Sequence, residues 1–154
     1  MKGARILVVE APYYEGIANA LFAGAKRVLD AAQVEYEVET VPGALEIPQA
    51  IVIALDAASK RKTPYDGVIA LGCVIRGETS HYDIVAGESA RAIMDIAVAR
   101  GVPIGNGILT VNTEEQAWAR ARLDGQDKGA AAADAVLSLV RIKRRSLAKP
   151  RGRR

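Results

Sequence analysis

Short apolar runs rich in β-branched residues alternate with amphipathic helical patterns along the chain. Strand patterns lie at residues 5–9, 34–41, 66–75 and 101–111. The first and third are almost continuously apolar, as buried parallel strands are, whereas the second alternates with glutamates, as a strand with one solvated face does. About five helical patterns accompany them. The alternation predicts an α/β fold, specifically a flavodoxin-like three-layer α/β/α domain with a four-stranded parallel sheet.

Local sequence signals support the boundaries of two helices. Pro48 follows a Pro-Gly turn and suits the first turn of a helix. Further along, Asn112 or Thr113 can act as an N-cap, with Glu115 or Gln116 completing a capping box. The last helix is expected from about residue 128 to 145.

The charge is unevenly distributed. Eight of the 21 basic residues lie in residues 141–154, which contain no acidic residue, so the remaining 13 basic and 18 acidic side chains give the body a net charge of −5. A mildly acidic body argues against a nucleic-acid-binding face, and we expect no nucleic-acid partner. With 154 residues, the chain fits one domain. We predict a domain over residues 1–145 and a basic, disordered tail over 146–154.

The sequence indicates neither a membrane-spanning segment nor a disulfide framework. No apolar run approaches the roughly 18 residues that span a bilayer, and the N-terminus lacks a signal-peptide pattern. A single cysteine excludes an internal disulfide and a cysteine-rich metal site. We therefore expect a cytoplasmic protein without a membrane partner.

The four segments that follow the strands are the expected location of a site, because ligands of open α/β sheets gather at the carboxyl ends of the strands. These segments, which could converge on one cleft, read EAPYYE, TVPGALEIP, CVIRGETSHYD and GILTVNTEE. In the third, the backbone N–H groups of residues 77–80 precede a helix and can form an anion site. The spacing is close to that of a P-loop, but Glu78 replaces the phosphate-binding lysine. We reject a nucleoside triphosphatase and retain a small monophosphate as ligand, with an arginine as counter-charge.

His81 is the only histidine of the chain and stands beside this candidate anion site. Imidazole can take and give a proton near neutral pH. A lone histidine is usually a cap or a loop residue, but this position favours a functional role.

Other candidate residues have ordinary structural explanations as well. An acidic residue such as Glu46 is common in the first turn of a helix, and Arg120 is by default an exposed helix residue. Tyr13 and Tyr14 can stack on a ring or close their loop. Cys73 lies in a buried strand pattern and is interpreted as inert core.

Four stretches together resemble the 6,7-dimethyl-8-ribityllumazine synthase family of riboflavin biosynthesis. They read VPGALEIP, GCVIRGETSHYD, GILTVNTEEQAWARA and DKGAAAADA, in order and with the family's spacing over nearly the whole chain. The resemblance implies a condensation without cofactor or metal. In it, 5-amino-6-(D-ribitylamino)uracil joins 3,4-dihydroxy-2-butanone 4-phosphate through an imine, with loss of phosphate and water.

The resemblance also implies roles for individual residues. His81 falls on the family's proton-transfer histidine, Tyr13 on the residue that faces the uracil ring, and Glu46 on the acceptor of ribityl hydroxyls. The other substrate-binding positions are Ala44 and Leu45 on the ribityl side, Cys73, Val74 and Ile75 at the pyrimidine edge, Glu78 and Thr79 with Arg120 at the phosphate, and Asn106 and Lys128 in the remaining pocket.

Three of these positions depart from the common family pattern. Tyr13 replaces phenylalanine or tryptophan but keeps an aromatic face, and Cys73 replaces a common threonine. Asn106 stands where many members have an aromatic or apolar residue, which changes the pocket. A member that binds lumazine or flavin with little catalysis is therefore the alternative. A response regulator is rejected, because Glu10 and Cys73 stand where clustered aspartates are needed.

The resemblance further implies an assembly of pentamers whose active sites lie between subunits. Tyr13, residues 44–46 and residues 73–81 would come from one subunit, and Asn106, Arg120 and Lys128 from the next. Wide faces rich in alanine and valine on the helices agree with an obligate oligomer. The stretch RLDGQDK favours free pentamers over decamers or a sixty-subunit shell, and riboflavin synthase is a candidate partner.

Overall fold

The computed structural model describes residues 1–148 and 150 and has a four-stranded, all-parallel sheet with strand order β2-β1-β3-β4. This arrangement confirms the predicted α/β fold. Along the chain the elements are β1 (Arg5–Glu10), α1 (Glu15–Ala31), β2 (Glu35–Thr40), α2 (Glu46–Lys60), β3 (Gly67–Ile75), α3 (His81–Arg100), β4 (Ile104–Val111), α4 (Glu114–Ala121) and α5 (Lys128–Ala148).

Helices cover both faces of the sheet, so the domain has three layers. Ile6 and Val8 of β1 are fully buried in the core that α1, α4 and α5 complete. Leu7 and Val9 are fully buried in the second core, beneath α2 and α3. This alternation follows from the period of two in a strand and explains why β1 is apolar throughout.

Strand β2 is less buried than its pattern predicts. Tyr36 is half-buried and Val38 is 39% exposed, although both lie on the apolar side of the alternation. The reason is the position of β2, which pairs only with β1 and forms an edge of the sheet.

Two glycines in β4 permit close packing of α5 and do not interrupt the strand. A Cβ atom at Gly105 would lie 2.0 Å from the carbonyl oxygen of Ala132 in α5. At Gly107 it would lie 3.1 Å from the Ala132 side chain. These glycines therefore set the distance between the sheet and α5.

The capping prediction for α4 is confirmed with Thr113 as N-cap. The Gln116 N–H donates to Thr113 Oγ1 over 3.1 Å, and Gln116 Oε1 accepts from the Asn112 N–H over 2.8 Å. Helix α5 extends to Ala148, beyond the expected end near residue 145. Of the expected tail, Lys149 and residues 151–154 lie outside the described residues.

The candidate site lies at the carboxyl ends of the two middle strands of the sheet, β1 and β3. Strand β1 lies between β2 and β3. The chain therefore passes from β1 to β2 on one side of it and then crosses back to form β3 on the other side. The pairing of β3 with β1 ends at Leu71, whereas its pairing with β4 continues to Ile75. Beyond Leu71, one side of β3 is therefore open toward the crevice where ligands of such sheets bind.

Candidate active site

A cleft of about 430 Å³ opens at the carboxyl ends of β1, β2 and β3. Three of the four segments expected to converge line it, whereas the segment after β4 does not. The lining residues are Tyr13, Tyr14, Pro42, Gly43, Ala44, Leu45, Glu46, Cys73, Val74, Ile75, His81 and Val85.

His81 enters this cleft from the first turn of α3. It is the first residue of the helix and is exposed. Its backbone N–H donates to Thr79 Oγ1 over 3.3 Å, which joins the helix start to the preceding turn. Val85 lies one turn further along α3 and lines the same cleft, so the two residues share one face of the helix. The imidazole is thus open to a ligand in the cleft.

The exposed side of β3 supplies backbone groups. Because the residues after Leu71 have no partner in β1, the N–H and C=O groups of Cys73 and Ile75 are open on that side, whereas those of Val74 face β4. Free backbone groups at a strand end suit a planar ligand with both donors and acceptors.

A wall of two tyrosines stands across from β3. The rings of Tyr13 and Tyr14 pack edge to face, with centroids 4.9 Å apart. Tyr13 is 76% exposed, so a face of its ring is free to cover an aromatic ligand. Tyr14 packs against the core instead, and burial, followed by the proximity of Cys73, raises the pKa of its hydroxyl.

Glu46 begins α2 at the third side of the cleft. Its N–H donates to Gly43 O over 3.1 Å, which closes the turn before the helix. A Cβ atom at Gly43 would lie 3.3 Å from Glu46 Oε1, so the glycine leaves room for this carboxylate. A partly buried carboxylate beside an open cleft is a suitable acceptor for ligand hydroxyl groups.

The Cys73 thiol is not a nucleophile in this site. Burial raises its pKa to about 11, and the nearby Glu114 carboxylate adds to the increase. With this pKa the thiol stays protonated at neutral pH. Its reactivity is therefore low, because the thiolate is the reactive form. This agrees with the inert part of the interpretation of Cys73 as inert core, but the residue is only half-buried and lines the cleft, because β3 is open on one side beyond Leu71.

Asn106, Arg120 and Lys128 form a second concavity of about 340 Å³, which is separate from the cleft. The half-buried Arg120 donates from Nη1 to Gln116 O over 3.0 Å. Lys128 follows Asp127, whose carboxylate pairs with Arg27 over 2.7 Å and ties the start of α5 to α1. On one chain, therefore, the predicted site residues other than Glu78 and Thr79 fall into two groups on two surfaces.

Glu78 and Thr79 line neither the cleft nor the second concavity. Both are exposed in the turn before α3. A Cβ atom at the adjacent Gly77 would meet nothing within 4 Å, so the turn is open to an approaching ligand.

A cavity of about 580 Å³, larger than the cleft, lies elsewhere, between α3 and the end of α5. Its lining is mostly aliphatic, including Met94, Val98 and Leu139. The polar residues that line it are Asn106, Lys143 and Ser146, so neither a histidine nor a carboxylate is among its described lining residues. We therefore place the chemistry in the smaller cleft. Within residues 1–148 and 150, no three His, Cys, Asp or Glu side chains are grouped to hold a metal ion.

Sequence reasoning missed Val85, whereas Pro42 and Gly43 lie in a segment that was expected to line the cleft. Val85 has a detectable signal, since it lies four residues after His81 on the same helical face. The open edge of β3 had no sequence signal, because it depends on how far β1 and β3 pair.

The described helices include none long and apolar enough to cross a membrane.

The sequence of the chain is similar to that of known proteins of one family. The family model described as 6,7-dimethyl-8-ribityllumazine synthase matches residues 3–144. The 6,7-dimethyl-8-ribityllumazine synthase of Azorhizobium caulinodans is 61% identical over 145 residues, which cover 94% of this chain and 90% of the relative. The proteins of the same name from Afipia carboxidovorans and Methylorubrum extorquens are 59% and 60% identical over 96% and 97% of this chain, and 90% and 87% of each relative are covered.

Proposed function

Because the chain belongs to the 6,7-dimethyl-8-ribityllumazine synthase family, we propose that it condenses 5-amino-6-(D-ribitylamino)uracil with 3,4-dihydroxy-2-butanone 4-phosphate. The products are 6,7-dimethyl-8-ribityllumazine, phosphate and water, so the protein is a transferase of riboflavin biosynthesis. The match of the family model to almost the whole chain is the observation that carries this proposal.

The cleft suits the ribitylaminouracil. We propose that Tyr13 covers the uracil ring, while Cys73, Val74 and Ile75 bind its edge, largely through backbone groups. The position of Glu46 at the mouth of the same cleft supports a role as acceptor for ribityl hydroxyl groups, alongside Ala44 and Leu45. The substitution at Cys73 is compatible with this role, because the contact uses backbone groups.

His81 is proposed to move protons in imine formation, phosphate elimination and ring closure. Its exposed position at the start of α3, on the wall of the cleft, supports this role. General acid–base catalysis by one side chain typically contributes about 10²–10⁴-fold to rate.

The butanone phosphate is proposed to bind at the turn before α3. Glu78 and Thr79 are exposed in this turn, where their backbone N–H groups can reach a ligand, and the positive end of the α3 dipole favours an anion there. The counter-charge is assigned to Arg120, with Lys128 and Asn106 completing the pocket. These three residues lie on the second concavity, so a complete site needs another copy of the chain.

We therefore propose a homopentamer in which each active site joins the cleft of one subunit to the second concavity of the next. The exposed apolar side chains of α3 support this assembly: Ile84 is 54%, Met94 62% and Val98 75% exposed. Only Val85, Ser89 and Ile93 of this 20-residue helix are buried. The apolar cavity between α3 and α5 offers further surface for a neighbour. A free pentamer, a cytoplasmic location and riboflavin synthase as a partner remain parts of the proposal.

The test is to mix the two substrates with the protein and to follow lumazine absorbance and fluorescence. We expect accumulation well above the spontaneous reaction between the substrates. A member of the family that only binds lumazine would show ligand binding without this acceleration, and that result would reject the enzymatic proposal. The comparisons do not favour this alternative, because the relatives all carry the name of the synthase.

A further inference from the structure

Arg76 joins three elements around the turn that leads to His81. Its backbone N–H donates to Val111 O over 2.9 Å, which extends the pairing of β3 with β4. Its side chain turns toward α3 and the end of β4. There Nε donates to Asn112 Oδ1 over 3.0 Å, and Nη1 lies 3.4 Å from Asp83 Oδ1.

The guanidinium also covers an aromatic ring in the first turn of α3. The Arg76 Cζ atom lies 4.2 Å from the centroid of the Tyr82 ring. In sequence, His81 lies between Arg76, which precedes the turn, and Tyr82 and Asp83, which the Arg76 side chain contacts. The Arg76 backbone thus holds the start of the turn at residues 77–80, and its side chain contacts residues that follow the turn.

The contacts of Arg76 continue to the helix that carries Arg120. Asn112, which accepts from Arg76, donates its own N–H to Gln116 Oε1 over 2.8 Å. The carbonyl of Gln116 in turn accepts from Arg120 Nη1 over 3.0 Å. One chain of hydrogen bonds therefore runs from the turn before His81 to Arg120.

We propose that Arg76 is a positioning residue: its guanidinium holds the turn at residues 77–80 and His81 in the orientation needed for phosphate binding and elimination. The inference rests on the proposed function. A mainly stabilising role does not fit, because the Arg76 and Asp83 side chains are 46% and 62% exposed, and exposed ion pairs contribute little to stability.

Arg5 provides a matched control at the opposite end of the sheet. It makes contacts of the same kinds: an ion pair with Glu37 at 2.7 Å, a hydrogen bond to Thr63 O, and a cation–π contact with Tyr65 at 5.0 Å. The Arg5 side chain is 26% exposed, so these contacts are more shielded than those of Arg76. Arg5→Gln should lower the melting temperature and leave the kinetics unchanged.

Arg76→Gln should give the reverse result. We expect kcat/KM for the butanone phosphate to fall about 10–100-fold, since small misplacements of catalytic groups have effects of this size. The KM for the ribitylaminouracil and the melting temperature should change little. Arg76→Lys should stay impaired, because an ammonium cannot reproduce the planar fork toward Asn112 and Asp83. Wild-type kinetics in Arg76→Gln would overturn the proposal.

A second measurement does not depend on turnover. His81 is the only histidine, so its imidazole resonance can be followed by NMR without competing histidine signals. We expect the resonance in Arg76→Gln to be displaced from its wild-type position, and inorganic phosphate to shift it only at about 10-fold higher concentration. In Arg5→Gln both properties should match the wild type. Identical signals and phosphate responses in Arg76→Gln and wild type would overturn the positioning role, whereas a wild type that condenses nothing would count against the proposed function.

Discussion

Loss of the Arg120 guanidinium should weaken one substrate far more than the other. Arg120 is half-buried and donates to Gln116 O. In the part of the chain that the structure describes, none of the ion pairs includes Arg120. Its charge is therefore available to a phosphate group.

The magnitude follows from the kind of contact. A hydrogen bond between charged groups contributes about 1.5–3 kcal/mol. Since about 1.4 kcal/mol corresponds to a factor of ten, Arg120→Ala should raise the KM for the butanone phosphate about 10–150-fold. The KM for the ribitylaminouracil should change by less than about threefold, because that substrate is assigned to the other surface.

Steady-state kinetics with each substrate varied in turn will measure this difference. Arg122→Ala is the matched control, because Arg122 is exposed at the end of the same helix and its guanidinium lies 5.8 Å from the Trp118 ring. We expect nearly wild-type constants from this control. Equal losses for both substrates in Arg120→Ala would refute the phosphate assignment and indicate a folding defect.

Three further predictions concern catalysis, reactivity and packing. His81→Ala should lower kcat about 10²–10⁴-fold over the spontaneous background, and an unchanged kcat in stopped-flow assays would disprove its role. Iodoacetamide should modify Cys73 slowly at neutral pH and faster as the pH approaches about 11, whereas rapid labelling of the native protein at neutral pH would contradict the raised pKa. Gly105→Ala would place a methyl group 2.0 Å from Ala132 O and should cost about 3 kcal/mol. In calorimetry this cost corresponds to a decrease of about 6–12 °C in melting temperature. Gly77→Ala, which meets open space, should melt like the wild type, and equal melting of both variants would refute the packing argument.

Much of the fold could be predicted from hydrophobic periodicity and end signals. The apolar run of β1 and the capping residues of α4 depend on local sequence, and the structure has both. The exposure of Val38 could not be predicted, because it depends on β2 being an edge strand. The role of Gly105 was missed for a similar reason: only the packed structure shows how closely α5 approaches β4.

The candidate site could be predicted as a set of residues but not as a surface. The residues around His81 were found because a strand end, small residues and a helix start follow one another in sequence. The division between the cleft and the concavity at Arg120 was implied by the family resemblance alone, because it depends on tertiary packing, which local sequence signals do not show. The contacts of Arg76 were also missed, since they join residues brought together by β3 and β4.

Mixing two impaired variants, assayed at a butanone phosphate concentration at which each alone has little activity, tests most directly the claim that each site is built from two subunits. His81→Ala damages the cleft, and Arg120→Ala damages the second concavity. If the two chains are co-expressed in equal amounts and assemble at random around a ring, about one quarter of the sites will combine two intact halves. We predict recovery of about a quarter of wild-type activity. Mixed oligomers without any recovery would contradict the shared site.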